Sequence, residues 1–272
     1  MLQIKHWLKS ATKQLRTLGI KSASLDCDLI LAHVLGRDRS YLRAHDDEKM
    51  NIYQILRANL LLGKRKKRLP VAYIIHEKDF FGRKFIVNKH TLIPRPESED
   101  IIELLKKYVS HQQNSSLNLV DIGTGSGCLG ITAKLEFPEI EVVLSDISSS
   151  ALKIASKNAK NLSADVKIIK SNLLKAIGTK PNIIIANLPY VDESWEISPE
   201  TKYEPSSALF ADNNGKDLTQ KMIVQASKIQ QKNDIIIFES DPSQHKDLII
   251  FAQKIGYKNK EINGYAVLLV KN

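Results

Sequence analysis

Cysteine is scarce in this chain of 272 residues: Cys27 and Cys128 stand far apart, with no Cys or His at ligand spacing. That argues against a disulfide framework or a zinc site and fits a reducing compartment. Aromatic residues make up 6% of the sequence, fewer than expected of an enzyme that flips and stacks a nucleobase. No apolar run approaches membrane-spanning length, and Met1–Lys9 is broken by charge before a signal-like core forms. A cytoplasmic protein without a membrane partner is the expectation. Acidic residues are outnumbered, 30 against 40 basic, which leaves a formal charge of +10. The excess points to an acidic partner such as RNA, a ribosome or an acidic protein, and says nothing of the fold. The 43% hydrophobic content is ordinary for a globular protein, and the length suits one large domain with a small companion.

The N-terminal part, residues 1–68, repeats apolar residues at helical spacing: Ile4, Leu8, Ala11 and Leu15, then Leu25, Leu29, Ala32 and Leu35, with Gly19 and Gly36 at helix ends. Ser22 or Ser24 followed by Asp26 and Asp28 suits a helix start, where acids meet the positive end of the dipole. His33 and His45 are isolated and read as structural. This small helical domain reads as a docking or substrate-recognition module. It closes on Lys64-Arg65-Lys66-Lys67-Arg68, which is either a contact for phosphates or an acidic partner, or a solvated helix end before Pro70. Residues 69–90 read as a linker: Val71–Ile75 belongs to an alternating stretch, and Asp79–Val87, with Gly82 at its middle, reads as a β-hairpin.

Residues 91–272 read as the catalytic domain. In Leu92–Glu99 two prolines stiffen the backbone around Arg95, and the acids after Pro96 suit the first turn of a helix through Ile101, Ile102, Leu104 and Leu105. Arg95 can then hold a carboxylate at small entropic cost, or sit in a surface salt bridge. After a polar spacer at His111–Ser116, strands and helices alternate as in an α/β fold, and strand after strand ends in polar residues. Asp121 leads into Gly123-Thr124-Gly125-Ser126-Gly127, Asp146 follows 21 positions after Gly125, Asn172 comes next, and Ile184-Ile185-Ala186 runs into Asn187-Leu188-Pro189-Tyr190. Strand, glycine loop and helix bring backbone N–H groups to a ligand. The spacing satisfies a dinucleotide fingerprint, and Asp146 can hold an adenosine ribose in either a dinucleotide or S-adenosylmethionine. Asp121 before the first glycine, and glycines at every second position, favour the latter. Asn187 is the first candidate for a substrate contact, against an ordinary Asn-x-Pro turn. The loop after Tyr190 is long and, directly following this strand, reads as functional.

Taken together, Leu92–Glu99, Asp121–Gly127, Asp146, Asn187–Tyr190 and Tyr203–Leu209 resemble the peptide chain release factor glutamine methyltransferases, and Asp26 in Ser24–Asp28 is similar to that family's small helical domain. The resemblance implies a class I S-adenosylmethionine-dependent methyltransferase: α/β, Rossmann-like, with a seven-stranded, mostly parallel sheet behind the helical domain. It implies methylation of the side-chain amide of the glutamine in the Gly-Gly-Gln loop of bacterial class 1 release factors, a step tied to translation termination. Asp121, Gly123, Thr124, Gly125, Ser126, Gly127, Asp146, Asn172, Leu173 and Asn187 would surround S-adenosylmethionine. Asn187, Leu188, Pro189 and Tyr190 would form the catalytic segment that grips the amide, with Arg95 also on the substrate side. No metal is implied, and a monomer is expected.

Two positions depart from the family pattern. Leu188 replaces a proline, and Asn172 stands where Asp is usual. An amide nitrogen is a poor nucleophile, so positioning is most of the catalysis. The Asn187 side-chain oxygen and the backbone carbonyl of residue 188 would accept the two N–H hydrogens, Pro189 would set the geometry and Tyr190 would supply an aromatic wall. Any residue type keeps the carbonyl at 188, so the expectation is reduced preorganisation with activity retained; the Leu188 side chain has no assigned role. Asn172 can still accept from an adenine amino group. The alternatives are a related methyltransferase acting on a ribosomal-protein glutamine or an exocyclic amine of RNA or DNA, with contact to nucleic acid through Lys64 to Arg68, and a non-catalytic nucleotide- or RNA-binding domain that retains the glycine loop.

Overall fold

The protein is described by a computed structural model covering residues 2–110 and 117–272. The spacer read at His111–Ser116 lies outside the described residues. The chain forms two compact units: Met1–Glu77 with Ser198–Tyr203, and Lys78–Ile197 with Glu204–Asn272. Among the described residues no helix is long and apolar enough to cross a membrane, and no group of His, Cys, Asp and Glu could hold a metal ion.

The first unit is helical: α1 (Ile4–Thr17), α2 (Ala23–Leu35), α3 (Arg39–Ala44), α4 (Ile52–Lys66) and α5 (Val71–Ile75). Helix α1 buries Ile4, Trp7, Ala11 and Leu15, a single stripe at the 3.6-residue period. Helix α4 opens with a reciprocal capping box, in which Asn51 Oδ1 accepts from Gln54 N and Gln54 Oε1 from Asn51 N. Ser22 stands at the start of α2, but its hydroxyl donates to Asp26 Oδ2 at 2.8 Å and makes no backbone cap. Asp26 is turned inward, where it accepts from Arg65 Nε at 2.6 Å. Arg65 also donates from Nη1 and Nη2 to Glu200 Oε1 at 3.0 Å, and Arg68 reaches the same oxygen at 3.2 Å. The five-cation run is therefore neither a free basic patch nor a wholly solvated helix end. Its second member is a buried guanidinium bridging two carboxylates, and Lys66 pairs with Gln14. Val71–Ile75 also departs from expectation. Pro70 O accepts from the N–H groups of Tyr73 and Ile74 and closes a helical turn, and the consecutive burial of Ala72, Tyr73 and Ile74 is not the alternation of a strand.

The hairpin of β1 (Glu77–Phe80), whose first residue belongs to the first unit, and β2 (Arg83–Ile86) opens the second unit and is followed by α6 (Glu99–Val109). There follow β3 (Asn118–Ile122), α7 (Cys128–Glu136), β4 (Glu141–Asp146), α8 (Ser149–Asn161), β5 (Lys167–Lys170) and β6 (Ile183–Ala186). After a long loop come a tight turn, α9 (Asp212–Gly215), and then α10 (Asp217–Ser227), β7 (Ile235–Glu239), α11 (Pro242–Lys254), β8 (Tyr257–Asn263) and β9 (Ala266–Lys271). The seven strands lie in the order β5-β4-β3-β6-β7-β9-β8; β5 to β7 run parallel, and β9 and β8 close the edge antiparallel.

Strands covered on both faces must be apolar on both, and Ile183–Ala186 and Ile235–Phe238 are. The period of two divides them between two cores. Leu119, Ile183, Ile185 and Ile237 pack with α6 residues such as Ile101 and Leu105. Val120, Ile184, Ile236 and Phe238 pack with Met222 of α10 and Leu248 of α11. The chain reverses its direction of winding between β3 and β6, and in open parallel sheets that point opens a crevice at the carboxyl ends of the strands.

Candidate active site

The carboxyl ends of β3, β4, β5 and β6 meet at a cavity of about 500 Å³, within the size range of small-molecule sites. Its walls include Gly125, Asp146, Asn172, Asn187 and Pro189. The loop from β3 to α7 holds Gly123, Gly125 and Gly127 at φ of +71°, +56° and +84°, conformations that an L side chain rarely adopts. A Cβ on Gly125 would meet nothing closer than the Gly123 carbonyl at 3.9 Å, so this glycine leaves room for a ligand against the backbone. Gly130 serves packing: a Cβ there would lie 2.3 Å from Leu144 and 2.9 Å from Asp121.

Asp121 does not line the cavity. It lies fully buried beneath the loop, where Oδ2 accepts from Thr124 Oγ1 at 2.6 Å and from the Gly130 N–H at 2.9 Å. Burial pushes its carboxyl up to about 7 against the opposing pull of those two bonds, while Oδ1 has no partner. Asp146 does face the cavity. Its Oδ2 accepts from Gly125 N at 2.9 Å and its Oδ1 from Ser148 N at 2.8 Å, and burial raises this carboxyl too, against the same backbone bonds. Asn172 and Leu173 line the cavity together, Leu173 in the left-handed region at φ +52°. Such a conformation in a γ-branched residue is a strained backbone held by its surroundings, here in part by the Leu174 N–H bond to Gln225 Oε1 at 2.9 Å.

Asn187 follows directly on β6. Its Nδ2 donates to Ser98 Oγ and to Glu239 Oε2, both at 2.9 Å, which leaves the side-chain oxygen as its remaining acceptor. Tyr190 donates its hydroxyl to Glu239 Oε1 at 2.9 Å, and its phenol is raised far above the ordinary range by burial and then by the Glu239 charge. The Tyr190 carbonyl accepts from Gln244 Nε2 at 2.8 Å. Glu239 is buried and also raised, by desolvation first, against hydrogen bonds from Ser98, Tyr190 and Asn187.

The Leu188 side chain now has a place. It is buried, and a Cβ on Gly123 would come within 2.9 Å of Leu188 Cδ2, so the tetrapeptide packs directly on the glycine loop. Of the two readings of Arg95, the structure shows the salt bridge: its Nη2 is paired with Glu204, whose other oxygen accepts from the Ile93 N–H at 3.0 Å.

Three site residues escape a reading of the sequence: Ser98, Glu239 and Gln244. Glu239 carried the same signal as the tips that were read, a polar residue closing an apolar strand. Ser98 and Gln244 carried none, since their partners stand 89 and 54 positions away.

Comparison with known proteins agrees with this architecture. A family model described as the PrmC N-terminal domain matches residues 6–75, and one described as the methyltransferase small domain matches residues 102–202. A release factor glutamine methyltransferase of Mycoplasma mycoides is 33% identical over 95% of this chain and 96% of its own length. A bifunctional methyltransferase of Rickettsia bellii is 34% identical over 87% of this chain but only 48% of its own length, so the chain spans about half of such relatives. A methyltransferase structure from Pyrococcus furiosus shares the fold at a TM-score of 0.53 and 15% identity, over 77% of this chain and 98% of that one. The helical unit, the glycine loop, the Asn187–Tyr190 segment and the full-length match to the Mycoplasma protein together carry one conclusion: the chain belongs to the release factor glutamine methyltransferase family.

Proposed function

We propose that this protein transfers a methyl group from S-adenosylmethionine to the side-chain amide nitrogen of the glutamine in the Gly-Gly-Gln loop of a class 1 release factor. The observation that carries the reading is the hydrogen bonding of Asn187, whose amide nitrogen is taken up by Ser98 and Glu239, leaving its side-chain oxygen as the remaining acceptor, while the residue lines the cavity. An acceptor presented to a cavity suits a guest that brings N–H groups.

The residues present fit the donor. The open face of Gly125 admits a ligand against the loop, Asp146 offers a carboxylate to ribose hydroxyls, and Asn172 and Leu173 offer an amide and an apolar surface to adenine. Ser126 Oγ, buried in the same loop, has no partner and adds an unused polar atom. When bound, S-adenosylmethionine supplies a sulfonium methyl that is electrophilic without metal assistance.

The protein's own work is positioning. Asn187 Oδ1 and the Leu188 carbonyl accept the two amide hydrogens and fix the nitrogen's orientation; Tyr190 is not among the residues that line the cavity and supports the segment through its bond to Glu239. Leu188, seated on Gly123, ties that grip to the cofactor loop. The proton released by the methylated nitrogen passes to water. The helical unit takes the part of a recognition module for the release factor.

The test offers labelled S-adenosylmethionine with a release factor, ribosomal RNA and ribosomal proteins together. Label on the Gly-Gly-Gln glutamine is expected; label confined to RNA would overturn the reading.

A further inference from the structure

We propose that Glu239 is a positioning residue that decides which end of the Asn187 amide faces the substrate. This rests on the reading above. The register of β6 and β7 pairs Ala186 with Phe238, so Asn187 and Glu239 stand side by side one residue beyond. An Asn amide has two nearly isosteric ends, and its terminal torsion is soft and two-fold. If it turned over, it would present N–H groups to the substrate's own N–H groups.

Glu239 prevents this because a carboxylate accepts and does not donate. Its Oε2 requires a donor from residue 187, and the bond is 2.9 Å. The Ser98 hydroxyl oxygen lies beside the same end of the amide and accepts from Asn187 Nδ2 at 2.9 Å. The other carboxylate oxygen holds the Tyr190 hydroxyl, so one group fixes both polar ends of the tetrapeptide. A purely structural role would be served as well by glutamine, which fills the same volume without the desolvation cost of a buried charge. Glutamine, however, offers an N–H to one of its two partners and makes the reversed Asn187 compatible with the site.

The test is an exchange of donor and acceptor. Glu239→Gln should lower kcat by about tenfold or more, with KM for the release factor and affinity for S-adenosylmethionine held within about twofold. Asn187→Asp places two carboxylates together and should also lower kcat. The double variant Asn187→Asp with Glu239→Gln keeps the charge of the wild type, lets the amide introduced on β7 donate to the carboxylate introduced after β6, and restores an acceptor towards the substrate. Its kcat should exceed that of the better single variant by about tenfold, a coupling that additive packing effects do not produce. Losses that simply multiply would overturn the assignment. If the wild type itself methylates no release factor, the functional reading fails and thermal melts judge the pair alone. The double variant recovers the Tm lost in Asn187→Asp if the two side chains are donor and acceptor, and additive Tm losses overturn the assignment.

Discussion

At the scale of single residues, Asn187 and Asp121 illustrate two uses of a polar side chain at a strand end. Asn187 lines the cavity, and its replacement by Ala should reduce methyl transfer by about 100-fold or more, the cost of losing alignment at a reacting atom. Cofactor affinity by titration calorimetry should stay within about twofold; a matching loss of affinity would make Asn187 a cofactor ligand instead. Asp121 lies beneath the loop, and its carboxyl at about 7 stands well above its value in an unfolded chain. The native state therefore keeps a proton that the unfolded chain has already released. Its contribution to stability is complete below the unfolded value near 4, declines as pH rises and is gone above about 7. Melting curves between about pH 5 and 7.5 should show wild type losing ground to Asp121→Asn as pH rises, and parallel curves would remove the protonated carboxyl from the account.

Elements were more legible than their mutual contacts. An apolar run with a polar end marks a buried parallel strand, and that pattern identified β3, β4 and β6 with their tips Asp121, Asp146 and Asn187, because burial on both faces and exposure at one end leave a local trace. What the chain does across distance leaves no such trace. Glu239 is read as a strand end, but nothing local says that its carboxylate meets Asn187, 52 positions earlier. Arg95 on its stiff loop is open to a substrate role or a salt bridge, and nothing local names Glu204, 109 positions later, as its partner. Leu188 remained without a role for the same reason: its contact is with Gly123 across the β3–β6 pair. Truncation of this buried side chain, Leu188→Ala, should cost about 2–5 kcal/mol of stability and lower kcat as the grip on the loop loosens. Urea unfolding and steady-state kinetics would measure the two. The turn α9 supplies a second support, for a Cβ on Gly215 would fall 1.9 Å from the Tyr190 carbonyl oxygen. Gly215→Ala should displace Tyr190 and depress transfer more than it depresses cofactor binding, and unchanged kinetics would show that the turn yields without moving it.

At the scale of the whole molecule, the charge excess says nothing of how each cation in the basic run is used. Lys64, Lys66 and Lys67 are exposed, whereas Arg65 is buried between Asp26 and Glu200. Removing Arg65 takes from the buried Asp26 its only charged partner among the described residues and leaves Glu200 to Arg68 alone, so Arg65→Ala should destabilise the protein by about 3–5 kcal/mol in chemical denaturation. A loss below about 1 kcal/mol, the scale of an exposed pair, would contradict the burial.

The membership of Ser198–Tyr203 in the helical unit has a further consequence. The chain passes between the two units three times, after residues 77, 197 and 203, so the helical unit is a composite of two stretches of chain and not a detachable cassette. A fragment ending at residue 77 would retain Arg65 and Asp26 but lack Glu200, and exchange of N-terminal segments between relatives would have to carry residues 198–203 along with it to preserve the match.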